Sequence, residues 1–302
     1  MLAILAPGQG SQTPGMLTAW LEDAELKNLL TSYSSAINLD LERLGTVADA
    51  DEIKDTANAQ PLIVAASLLS AHALGSDVQI SLVAGHSVGE IAAAALAGTI
   101  TDIDAMKLVH LRGQEMAKAA ALSPAGMAAV LGGERSVVLA AIKELGLVAA
   151  NDNGAGQIVA AGNLDALSQL APEGARVRAL AVAGAFHTPF MEPAVAPLRA
   201  MAADIEISAA KVSVISNRDG AVVRDGREVL DRIVNQIANP VRWDLCMETL
   251  RAQGVTGVIE LAPGGTLAGL IKRAAPEIEQ LALKSPADIA AAREFAARHG
   301  KA

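Results

Sequence analysis

The chain has 302 residues, of which 52% are hydrophobic and only 2% aromatic, and 33 acidic against 24 basic side chains leave a formal net charge of −9. That length suffices for one large domain or two smaller ones with a core of Ala, Val, Leu and Ile, and no apolar run approaches the roughly 20 residues of a membrane span. The acidic balance without a Lys/Arg cluster excludes nucleic acid as a partner, and a single cysteine, Cys246, excludes an internal disulfide and a thiolate metal site.

Taken in order, MLAILA reads as a buried strand that breaks at Pro7-Gly8-Gln9-Gly10. It lacks the basic flank of a secretion signal, so a cytoplasmic protein without a membrane partner is expected. Gln9 falls at the carboxyl end of that strand, the edge where ligand loops of open α/β sheets gather. It is either an ordinary surface turn or the source of a backbone amide near Ser87. Residues 20–53 are helical but poorly periodic. The run LIVAASLLSAHAL predicts a buried helix with Pro61 in its first turn and His72 as a structural residue.

The segment VAGHSVGEIAAAALAG, residues 83–98, reads as strand, sharp turn and apolar helix. Gly85, Ser87 and Gly89 form G-x-S-x-G, in which the glycines admit a bend that a Cβ obstructs. The bend lifts the Ser87 hydroxyl above the sheet edge. Behind it the unpaired amides of the helix starting at Val88 are ready donors for an oxyanion. Thr101 or Asp102 then caps a helix to about Ala120, which carries Arg112 between Leu111 and Gly113. Arg112 is either a surface arginine or a cation aimed into a cleft. His86 and His110 are read as structural.

From about Pro124 to Gly184 the elements shorten and follow the order β-α-β-β-α-β of a ferredoxin-like module. The expected fold class is therefore α/β: a large α/β-hydrolase-like subdomain with a mostly parallel sheet, built from residues 1–123 and 185–302, and an inserted ferredoxin-like subdomain, 124–184. The exit carries GAFHTPFMEP. There His187, one hundred residues after Ser87, is the base candidate, with a satisfied core histidine as the alternative. Beyond it come a helix to about Ile205, the strand KVSVISN, a turn at Asp219-Gly220, a helix ending at Pro240 and the helix VRWDLCMETLRAQG. The strand and glycine loop VTGVIELAPGG, the helix TLAGLIKRA and a tail helix over ALKSPADIAAAREFAARHGKA complete the chain.

These segments together resemble the malonyl-CoA:acyl carrier protein transacylase family, the acyl-loading enzymes of fatty-acid and polyketide synthesis. The resemblance rests on PGQGSQTPGM, GHSVGE, LRGQEM, GAFHT, NQIANPVRWD and LAPGGTLAGL, in the family's order and spanning nearly the whole chain. It implies that Ser87 is the acylated nucleophile and His187 its base, oriented by a carbonyl from NQIANP, at Gln236, in place of a triad carboxylate. Amides of Gln9 and Val88 would form the oxyanion hole. Arg112 would hold the free carboxylate of a malonyl group by paired hydrogen bonds. Phe186 resembles the malonyl-selecting form of its motif; Glu90 matches the family but receives no chemistry. No cofactor and no metal are implied, and the partners are malonyl-CoA and holo acyl carrier protein, met by a monomer. Arg242, Lys272 and Arg273 are candidates for a local basic patch toward an acidic carrier. An α/β-hydrolase-type esterase shares the serine turn but places its acid between Ser and His, where no aspartate stands out. An inactive carrier-binding module is the other alternative, though every motif residue is present.

Overall fold

The computed structural model describes residues 1–300. The chain opens with β1 (Leu2–Ala6), α1 (Ala24–Ile37), α2 (Leu41–Thr46), α3 (Thr56–Leu74), β2 (Leu82–Gly85), α4 (Gly89–Leu96) and α5 (Asp102–Ala120). It continues with β3 (Ala125–Gly132), α6 (Arg135–Glu144), β4 (Val148–Asp152), β5 (Gln157–Asn163), α7 (Leu164–Ser168) and β6 (Ala175–Ala179). The last part comprises α8 (Glu192–Asp204), β7 (Ser213–Ile215), β8 (Val222–Val223), α9 (Gly226–Gln236), β9 (Val241–Arg242), α10 (Trp243–Ala252), β10 (Gly257–Glu260), α11 (Thr266–Ala274), β11 (Glu279–Ala282) and α12 (Ile289–His299).

A six-stranded sheet in the order β11-β10-β1-β2-β7-β8 forms the larger layer, parallel except for β8. Its central strands are apolar at every position, as expected where helices cover both faces: LAILA of β1 and LVAG of β2 are buried throughout. One face packs on α3, α4 and α5 through Leu62, Ile91 and Val109, and the other on α10 and α11 through Leu250 and Ile271. Each such side chain contributes about 1.5–3 kcal/mol by leaving water. The fold is thus α/β with a hydrolase-like parallel sheet.

The smaller sheet has the order β6-β3-β5-β4-β9. Its first four strands are antiparallel in the ferredoxin-like arrangement and bury Val130, Val138, Ile142 and Ile158 beneath α6 and α7. We propose that 124–184 is the inserted subdomain and that 1–123 and 185–302 form the large one. The fifth strand, β9, comes from outside the insertion and runs parallel to β4.

Three local readings change. Pro61 lies well inside α3, which starts at Thr56 because the Asp55 side chain caps the Ala57 N–H. Val241–Arg242 is a short strand before α10, where the sequence pattern gave helix, and Glu279–Ala282 is an edge strand before α12, of which the pattern placed Ala282 in the tail helix and left the rest unassigned. Both pair with distant segments, a stabilisation that no local pattern records.

One buried carboxylate holds the loop after β10 against the large sheet. Glu260 is fully buried, and its oxygens accept from the backbone N–H of Gly265 at 2.7 Å, Leu267 at 2.9 Å and Ala268 at 2.8 Å. These are the orphan donors at the start of α11. Glu260→Ala leaves them without acceptors and is expected to lower stability by about 3 kcal/mol in urea denaturation. A change under about 0.5 kcal/mol, the scale of a neutral surface substitution, would contradict this.

Candidate active site

The carboxyl ends of the parallel strands converge on one cleft of about 490 Å³. Ser87 follows β2, Gln9 follows β1, and Gly265 and Thr266 follow β10; all line this cleft with His187, His86 and Phe186. The turn at Ser87 is tight, with a φ of 54°. A Cβ on Gly85 would stand 2.0 Å from the Gly89 carbonyl, and one on Gly89 would stand 2.2 Å from the Ala6 oxygen. Glycine at both positions lets the strand fold back on its own helix while that helix seats against the end of β1. Among the described residues, the backbone N–H groups of Gln9 and Val88 donate to no protein acceptor. Two free amides beside the serine suit a developing oxyanion.

His187 enters from the loop after β6, itself at a φ of 60°, with its backbone N–H bonded to the Ile237 carbonyl. Its Nδ1 lies 2.8 Å from the Gln236 carbonyl and its Nε2 lies 2.7 Å from Ser87 Oγ. A carbonyl only accepts, so Nδ1 carries the proton and donates, leaving Nε2 bare to accept from the serine hydroxyl. Burial first, and the charge of Arg112 second, push the His187 pKa down to about 3, against the pull of the Gln236 carbonyl. The imidazole is therefore neutral and able to take a proton.

Arg112 is not on the surface: it is 1% exposed, on the face of α5 toward α3. Gly113 makes this approach feasible, since a Cβ there would stand 2.9 Å from the Thr56 oxygen. Nη1 donates to Gln60 Oε1 at 2.7 Å, and Nη2 donates to Gln236 Oε1 at 3.0 Å and lies 3.4 Å from Ser87 Oγ. Nε has no partner. Desolvation lowers the pKa to about 10, so the group stays cationic at neutral pH, with two neutral carboxamides as its closest acceptors.

Several contributors escaped the sequence reading. Gln60 braces the guanidinium from α3. Asn217, just beyond β7, accepts from the Ser87 backbone N–H at 2.8 Å and donates to the Gly85 carbonyl at 2.7 Å, which fixes the strained turn. Both are carboxamides in apolar surroundings, and a buried polar side chain amid LIVAASLL or VSVIS was the available signal. His86 is a cleft wall residue, with Nε2 donating to Asn153 Oδ1 at 2.8 Å and its ring 5.5 Å from Trp243. Of the three basic candidates, Arg273 lines the cleft, Lys272 sits on the outer face of α11, and Arg242 is held bidentately by Asp244.

A hydrolase-like sheet with an inserted ferredoxin-like module, and a serine held between a neutral imidazole and a buried guanidinium, define an acyltransferase. The chain belongs to the acyl transferase domain family, whose sequence model matches residues 4–291. It is 52% identical over 299 residues to the malonyl CoA-acyl carrier protein transacylase of Mycobacterium tuberculosis, covering 96% of this chain and 98% of that one. Identity to the enzyme of the same name from Escherichia coli K12 is 34%, covering 97% and 99%. The crystal structure of MCAT from M. tuberculosis superposes with a TM-score of 0.94 at 51% identity, over 97% of this chain and 99% of that one.

The neutral imidazole has a measurable consequence. Ring resonances of His187 are expected to stay fixed between about pH 7.5 and about pH 5, where an ordinary histidine titrates near 6.5. His72, whose pKa is raised by its bond to Asp102, should instead protonate at higher pH than usual. Because the His187 pKa is depressed on folding, the unfolded chain binds this proton more tightly, so stability is lost as pH falls from about 6.5 toward 3. A His187 signal titrating near 6.5 would refute the burial argument.

Proposed function

We propose that the chain transfers a malonyl group from malonyl-CoA, through an ester on Ser87, to the phosphopantetheine thiol of holo acyl carrier protein. The observation that carries the substrate is the buried Arg112 cation, which among the described residues contacts no carboxylate and lies 3.4 Å from the proposed nucleophile. A thioester whose acyl chain ends in a carboxylate supplies the missing anion.

In the first half-reaction Ser87 Oγ attacks the thioester carbonyl as its proton passes to His187 Nε2. The oxyanion forms between the amides of Gln9 and Val88. The C–S bond then breaks, and His187 returns its proton to the departing coenzyme A sulfur. In the second half-reaction the carrier thiol gives its proton to His187 and attacks the ester. The C–O bond breaks, and Ser87 regains its hydrogen. The Gln236 carbonyl keeps Nδ1 protonated and the ring aimed throughout.

Phe186 and Met127 line the cleft and limit both room and water around the ester. The reading takes the protein to act as a monomer. We assign the reaction to the cytoplasm, where its thioester donor is made; no helix among the described residues is long and apolar enough to cross a membrane. Arg273 at the cleft and the adjacent Lys272 are the proposed contact for an acidic carrier, whereas Arg242 is neutralised by Asp244.

Ser87→Ala is expected to abolish covalent malonyl labelling by mass spectrometry; a persistent label on another residue would refute the assignment. Arg112→Ala should lower kcat/KM for malonyl-CoA by about 100-fold, the loss of roughly 3 kcal/mol of paired charge-assisted hydrogen bonds, and leave acetyl transfer far less affected. Equal losses with the two donors would remove the role given to Arg112.

A further inference from the structure

Glu90 is 2% exposed and stands in the first turn of α4, directly after the serine turn, yet the transfer steps give it no task. Among the described residues its carboxylate makes no ion pair. Oε1 accepts from the Asn217 backbone N–H at 2.5 Å, and Oε2 accepts from Gln236 Nε2 at 2.5 Å. Gln236 in turn presents Oε1 to Arg112, while Nε2 also reaches the Ser87 carbonyl and Asn217 Oδ1, each at 3.1 Å. Reversing this amide would set its nitrogen against the guanidinium and its oxygen against the carboxylate. Donor would face donor and acceptor would face acceptor.

We propose that Glu90 is a positioning residue for the transfer: its carboxylate fixes the Gln236 side-chain amide in the one sense that holds Arg112 in place for the substrate's free carboxylate. This rests on the reading that Arg112 receives that carboxylate. The requirement is for two acceptor oxygens. A carboxamide at position 90 has one, so either the Asn217 N–H or Gln236 Nε2 would face a donor. An aspartate keeps both oxygens on a shorter stem.

Protonated Glu90 also loses one acceptor. The charged groups around it are Arg112 from α5 and Arg232 from α9, with the Cys246 thiol from α10 driven up by burial. Burial raises the Glu90 carboxyl to about 7, against the opposing pull of the Asn217 and Gln236 bonds and of Arg112. The carboxylate is the form that orients Gln236, so orientation weakens as pH falls through about 7.

The test measures kcat and KM for malonyl-CoA and acetyl-CoA, with holo carrier protein as acceptor, in the native chain, E90Q, E90D, R112A and E90Q/R112A. E90Q is expected to reduce the preference for malonyl about tenfold, through the malonyl KM, with kcat for acetyl transfer changed by less than about twofold. E90D should recover part of the loss, and E90Q should add nothing to R112A. Equal effects on the two donors, or an undiminished effect in the R112A background, would overturn the proposal. R112A that loses the preference while E90Q keeps it overturns this inference alone. R112A that keeps the preference overturns the Arg112 reading and this inference with it. If E90Q does not fold, the native chain decides: a malonyl preference that falls as pH drops through about 7 supports Glu90, and a flat ratio overturns it.

Discussion

A cation buried without a carboxylate in contact sets the terms for the rest of the site. Taking a guanidinium out of water costs several kcal/mol even after relaxation, and neutral acceptors recover only part of that. Arg112 meets the cost with two carboxamides, Gln60 and Gln236, and with Glu90 acting one residue removed through Gln236. The arrangement leaves the field of the cation largely open on the side of Ser87. A direct Arg112–Glu90 bidentate pair would be more stable in the empty protein, and it would occupy the donors that a substrate carboxylate needs. The carboxamide between them keeps the guanidinium oriented but unsaturated.

The same constraint explains why the elements meet so closely. Arg112 reaches the cleft only because Gly113 lets α5 lie against the start of α3, and Ser87 faces it only because Gly85 and Gly89 let the strand fold back on α4. Asn217 then ties the serine turn to the loop after β7, and the Gln236 carbonyl ties His187 to the end of α9. Four segments distant in sequence are thereby locked by short, directional bonds among buried and partly buried groups. Such bonds are strong where the dielectric is low and costly to leave unmade.

Much of this was legible in the chain itself. The G-x-S-x-G turn, the apolar runs flanking it and the β-α-β-β-α-β order are local patterns, and they place Ser87 and the smaller sheet without tertiary information. His187 could be named only as a base candidate beside the alternative of a satisfied core histidine, because one hundred residues separate it from Ser87; the family resemblance chose between the two. For Arg112 the chain left two readings open, since an arginine amid apolar residues on a helix looks the same whether it faces water or a cleft. Gln60, Asn217 and Glu90 received no role for a different reason: each acts by hydrogen bonding to a residue on another element. The strands β9 and β11 were missed on the same ground, being too short to carry a period and held by partners far away.

A backbone carbonyl beside His187 suits the charge of the proposed malonyl substrate. In a hydrolase triad an aspartate holds the imidazole and stabilises its protonated form. Here an aspartate in that position would share a buried site with Arg112, whose charge already acts on His187, and opposite charges attract strongly where the dielectric is low. It would draw the guanidinium away from its substrate and repel the malonyl carboxylate. A carbonyl supplies the same geometry and tautomer with no net charge. Burial and the charge of Arg112 leave the histidine a weak base, its pKa held down to about 3, and the carbonyl offsets this less than a carboxylate would. A weaker base activates water poorly, whereas a thiol, several units more acidic than water, still yields its proton. In the second half-reaction a weak base beside a neutral carbonyl therefore favours transfer of the acyl group to sulfur over its loss to solvent.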